Sequence, residues 1–94
     1  MKIEFWKDLL WKIFFYDWNK KEIVDYIKSQ NKLGEFTRML KMLYRAHIGS
    51  QKGILHKALD KKELKIMTEK PQLWLLAEFF EEKGLFKVFE NNKK

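Results

Sequence analysis

Thr37, Arg38, Lys41 and Arg45 recur at intervals that bring them to one side of a helix, and no acidic residue joins them on that side. Side chains of these types act on anions. A guanidinium grips a phosphate or a guanine edge with two parallel hydrogen bonds, an ammonium adds a point charge, and a hydroxyl turns to either role. Lys52 stands nearby between Gly49 and Gly53, and Lys20 and Lys21 precede the row. Residues 19–57 hold nine Lys and Arg side chains against Glu22, Asp25 and Glu35, which is +6 of the formal net charge of +7. Positive charge concentrated in one segment points to a polyanionic partner there. The outer face of the third helical stretch is expected to join Lys52 in one continuous cationic platform.

Other chemistries find less support. His47 and His56 lie nine residues apart with no cysteine and no acidic cluster around them, so no metal site is expected. The hydroxyls of Ser29, Thr37, Ser50, Thr68 and the tyrosines have no partnering base in the sequence pattern, and no glycine-rich loop is present to cradle a phosphate. The expectation is therefore a non-enzyme, with no catalytic residue, no cofactor and no small-molecule ligand. Cysteine is absent, which rules out a disulfide framework and a thiolate site and fits a reducing, cytoplasmic setting.

The elements that position the cationic row follow from the apolar period. At 94 residues, 46% hydrophobic and 16% aromatic, the chain is expected to form a single mainly α-helical domain rather than a disordered tail. A first helix over 3–17 places Ile3, Trp6, Leu9, Leu10, Ile13 and Phe14 on one arc, with Trp11, Phe15 and Trp18 forming a second apolar stripe. Lys7, Asp8, Lys12 and Asp17 interrupt it at helical intervals, so it reads as neither a signal peptide nor a membrane span. Asn19 and Glu22 form a capping-box start for a helix over 20–30 that buries Ile23, Val24 and Ile27. A polar turn leads into a helix over 35–47 with Phe36, Met39, Leu40, Leu43 and Ala46 inside. A β-hairpin is expected over 46–57, because both glycines of its Gly-Ser-Gln-Lys-Gly tip tolerate positive φ. Asp60 and Glu63 repeat the capping signature before a helix over 61–69, and Pro71 and Gly84 bracket another over 71–83. Leu73, Leu76, Ala77 and Phe80 make one face of that helix, and Trp74, Leu75 and Phe79 make another. A short strand is expected over 85–89 and a frayed tail over 91–94.

Helix, capped helix, short turn, basic helix and glycine-tipped hairpin, in that order over residues 3–57, resemble the winged helix-turn-helix domain of many transcription regulators. The resemblance implies a DNA-binding part over 3–57 and a C-terminal helical part over 58–90. By position it makes KKEIVDYIKS the first motif helix, LGEFTRMLKMLYRAH the recognition helix in the major groove, and IGSQKGILHK a wing on the backbone or minor groove. Thr37, Arg38, Lys41 and Arg45 then face double-stranded DNA, Arg38 early enough to reach a base. Lys41, Arg45 and Lys20 or Lys21 contact phosphates, Lys52 probes the backbone or minor groove, and RNA is the alternative nucleic acid. The surplus aromatic groups Trp11, Phe15, Trp18, Trp74 and Phe79 are expected to form a homodimer or partner interface.

Three other readings compete. In a second register, residues 51–59 form the earlier helix and LAEFFEEKGLFKVF runs from a recognition helix into a wing strand, although Glu78, Glu81 and Glu82 would repel DNA. The order KIFFYDW, two helices and LWLLAEFFEEKGLFKVF also resembles small ribonuclease toxins of toxin-antitoxin pairs. Only Lys87 stands where that family uses an Arg, Lys and His cluster, and the chain stops before its last strands. A non-enzymatic inhibitor or adaptor that docks its aromatic face on a larger protein is the third reading.

Overall fold

Seven helices occupy residues 3–90, the part of the chain described by the computed structural model: α1 Glu4–Tyr16, α2 Lys20–Ser29, α3 Leu33–Lys52, α4 Leu55–Ala58, α5 Lys61–Glu69, α6 Gln72–Glu82 and α7 Lys87–Glu90. Both expected capping boxes are formed. The Glu22 amide donates to Asn19 Oδ1 at 2.9 Å while Asn19 N–H donates to Glu22 Oε1 at 2.8 Å, and Asp60 and Glu63 repeat the exchange at the start of α5. Three helices end alike. In α2, α3 and α6 the chain turns through a left-handed residue, Asn31, Gly53 and Gly84 respectively, whose amide reaches back to Lys28, Ser50 or Glu81. The next amide in each case closes the wider ring to Ile27, Gly49 or Phe80, the Schellman termination that satisfies a helix's last carbonyls.

These terminations correct the expected fold class. No strand forms among the described residues, so there is neither a 46–57 hairpin nor a wing. The two glycines of the tip serve different purposes. Gly53, at φ 69°, ends α3, whereas Gly49 lies inside it and lets α4 come close: a Cβ there would stand 2.6 Å from the Ala58 Cβ. The expected 35–47 helix therefore runs from Leu33 to Lys52. Residues 85–89 are not a strand either. Leu85 and Phe86 are buried in the turn after α6, and the chain continues into α7. With no neighbouring strand to take up its amides and carbonyls, this segment satisfies them locally. The second-register helix over 51–59 is broken at Gly53, leaving only α4, and the sheet on which the toxin resemblance rests is not formed among the described residues. Residues 91–94 lie outside the described part.

α3 is the centre of the fold. Phe36, Met39, Leu40, Met42, Leu43, Ala46 and Gly49 bury one half of its surface. Phe36 meets Phe80 of α6 edge to face at 5.6 Å, and Phe80 in turn touches Phe86. Trp6, Leu9, Leu10 and Ile13 of α1, Ile23 and Ile27 of α2, and Leu73, Leu76 and Ala77 of α6 complete a core shared by both halves of the chain. α1 and α6 lie side by side and run in the same direction, since Phe14 meets Phe79 and, one turn on, Asp17 meets Lys83. α2 leans on α1 through Phe5, Trp18 and Tyr26.

Candidate nucleic-acid interface

α3 carries its cations on the side turned away from this core. At about 100° per residue, Arg38, Lys41, Arg45 and Lys52 fall within an arc of roughly 60° and span about 21 Å of helix, with Thr37 beside Lys41. All five are exposed. Lys52 reaches this face because α3 continues through it, where a hairpin tip had been expected. The Thr37 hydroxyl donates to the Leu33 carbonyl at 2.9 Å, the usual bond of a threonine inside a helix.

The cations differ in what surrounds them. Arg45 donates from both terminal nitrogens to the two carboxylate oxygens of Glu63, each at 2.7 Å, and reaches the Ala58 carbonyl at 3.4 Å. Glu63 is therefore at once the capping-box residue of α5 and the anchor of an α3 side chain. The Arg45 hydrogen bonds lower the Glu63 carboxyl below its ordinary value of 4.5, against an opposing push from burial. Arg38, Lys41 and Lys52 have no ion pair among the described residues. Lys20 and Lys21 sit on the first turn of α2, at the end away from the α2–α3 turn, and Lys21 is held by Asp25 at 2.8 Å. The structure thus gathers Thr37, Arg38, Lys41, Arg45 and Lys52 on one helix face, and leaves Lys20 and Lys21 on another element.

Two hollows border the strip. Between α1, α3 and α5, a cleft of about 720 Å³ has Phe5, Trp6, Met39 and Met42 in its floor and Arg38 and Glu35 on its rim. On the opposite flank, Lys41, Tyr44, Arg45 and Phe89 line a shallower hollow of about 300 Å³. There the Tyr44 ring stacks on Phe89 at 4.7 Å, and its hydroxyl is buried without a hydrogen-bond partner among the described residues.

The aromatic groups expected at an interface divide. Trp11 and Phe15 are exposed at 50% and 70%, and stack on each other. Trp18 instead packs on Tyr26 at 5.1 Å, and Trp74 and Phe79 are half-buried. Phe14, expected in the core, is 57% exposed and joins Trp11 and Phe15. On so uniformly apolar a helix, the boundary between inner and outer arc is set by where α2 and α6 land, and no sequence signal locates it. Neither was there a signal for the Arg45–Glu63 pair, which joins residues 18 apart in sequence. His47 lies against Phe86 and His56 is exposed on α4, so the two are on different helices.

Fold and site together define a small, basic, mainly helical protein whose central helix exposes a row of cations. Compared with known proteins, the sequence matches no protein-family model, and no significant match is found among curated proteins or solved structures. No helix of the described residues is long and apolar enough to cross a membrane.

Proposed function

We propose that the protein is a non-enzymatic, double-stranded DNA-binding protein that acts in transcription regulation through the outer face of α3. The observation that carries this reading is the alignment of Arg38, Lys41, Arg45 and Lys52 along one arc of a 20-residue helix, three of them without an ion pair among the described residues. α2, a three-residue turn over 30–32 and α3 supply a helix-turn-helix spacing in support, with Asn31 in the left-handed conformation that such turns often give to glycine. The wing has no part in this reading. Arg38, in the first half of α3, is the candidate for a base edge; Lys41 and Lys52 contact phosphates; Arg45 is held against α5 and contributes field more than contact.

A salt titration of affinity for duplex DNA, single strands and structured RNA tests the reading. Duplex binding is expected at low salt, with log K falling against log salt by about 0.9 per phosphate contacted. Arg38→Ala is expected to cost about 1–3 kcal/mol and to relax sequence preference, whereas Lys41→Ala and Lys52→Ala each reduce the salt slope by about 1. No duplex binding at low salt, or binding unchanged when all three are removed, overturns the proposal.

A further inference from the structure

The face built by α1 and α6 has a chemistry opposite to that of the α3 strip. Trp11, Phe14 and Phe15 form a contiguous cluster on α1, with ring centroids 5.2 to 6.1 Å apart, and Phe14 continues to Phe79 of α6 at 6.3 Å. On α6, Leu75, Glu78, Phe79 and Glu82 share one stripe at i, i+3, i+4 and i+7, and Leu75 is 49% exposed. Taking 150–250 Å² for an aromatic side chain, the exposed parts of the α1 cluster alone leave roughly 400 Å² of apolar surface. That matches the largest patches carried by monomers, and it suits the apolar centre of an interface burying about 800 Å² per partner.

The charges bordering this patch select among occupants. Glu78 and Glu82 lie one and two turns beyond Leu75 on α6, and Glu4 shares the Trp11 side of α1; none of the three is ion-paired among the described residues. Asp8, beside them, is approached by Lys12 only to 3.7 Å, and Lys7, on the same outer arc, has no ion pair among the described residues. Lys83, at the far end, is held by Asp17 at 2.7 Å. An anionic bilayer and a nucleic acid would both meet these carboxylates with like charge. A second copy related by a two-fold axis would bring acidic border near acidic border, and each copy carries +7 overall. We infer that this face docks an amphipathic helix of a partner protein, one whose apolar stripe is bordered by Lys or Arg and lies along the α1–α6 seam. Recognition of this kind uses apolar anchors at i, i+3, i+4 and i+7 for affinity and flanking charges for selection.

Two synthetic helical peptides of about 18 residues, sharing one leucine stripe and bordered either by lysine or by glutamate, test the inference by fluorescence anisotropy on the full chain. The lysine-bordered peptide is expected to bind roughly tenfold tighter or better, and the Glu78→Lys, Glu82→Lys double variant to reverse that order. Phe15→Ala is expected to weaken binding by roughly 30-fold while leaving the melting temperature unchanged, because the ring is already in water. Duplex DNA affinity stays the same in that variant, so the outcome is read independently of the proposal for α3. Three results overturn the inference: no preference between the peptides, binding to anionic vesicles that Phe15→Ala abolishes, or a sedimenting dimer that Phe15→Ala dissociates.

Discussion

Glu63 illustrates how one side chain comes to serve two elements. As the third residue of α5 it accepts from the Asp60 amide, and the same carboxylate receives both nitrogens of Arg45. The first role is visible in the sequence, since an acid three residues after aspartate is a local pattern. The second depends on α4 folding back to bring α5 beside α3. Because the pair is partly in solvent, with Arg45 44% and Glu63 20% exposed, Arg45→Ala is expected to cost about 1 kcal/mol, measurable by urea denaturation, whereas Arg38→Ala stays within about 0.5 kcal/mol. The pair is also a pH device of known sign. Its folded carboxyl titrates below 4.5, so its stabilising contribution is complete above that pH and is lost as pH falls through the lowered folded value. Glu63→Gln should therefore lose stability at neutral pH and show a smaller further loss on acidification than the natural chain. Tyr44 makes a contrasting case: its hydroxyl is buried without a partner among the described residues, so Tyr44→Phe is expected to leave stability unchanged or raise it by about 1 kcal/mol. A thermal melt that moves clearly downward would show that the hydroxyl has a partner after all.

At the scale of elements, the chain announces helix starts better than helix ends. Asn19 and Asp60 begin helices where their side chains can accept from the third amide, a purely local arrangement. The segment from Ala46 to Lys57 is different, because two glycines four residues apart fit a hairpin tip as readily as a helix end. Gly53 takes the left-handed conformation, but Gly49 is glycine for the sake of α4: Ala58 and Leu55 occupy the space a side chain would need. Gly49→Ala is thus expected to destabilise by about 1–3 kcal/mol through overpacking, despite the better helix propensity of alanine. Gly34 has open space around it in the first turn of the same helix, and Gly34→Ala is expected to stabilise by up to about 1 kcal/mol. Denaturation midpoints moving the same way for both substitutions would refute this account of the α3–α4 corner.

For the whole molecule, one core joins α1 to α6, and the two outer faces are given different chemistry. Leu43 is fully buried near the middle of α3, and Leu43→Ala is expected to cost about 2–5 kcal/mol, a large share of the stability of a domain this size. That loss should appear in duplex binding as well, unlike the effect of Phe15→Ala, since the α3 strip depends on the helix beneath it. The sequence alone determined the helical class, the starts of α2 and α5, the inner faces of α2, α3 and α6, and the concentration of charge in the middle of the chain. Each of these follows from residue period, capping pattern or composition, which act over a few positions. Only the tertiary structure decided that the expected hairpin is helix, that Lys52 shares a face with Arg38, that Arg45 is tied to Glu63, and that Phe14 faces water. Those outcomes depend on where α4, α5 and α6 settle against α3 and α1, and packing between segments distant along the chain has no local signature.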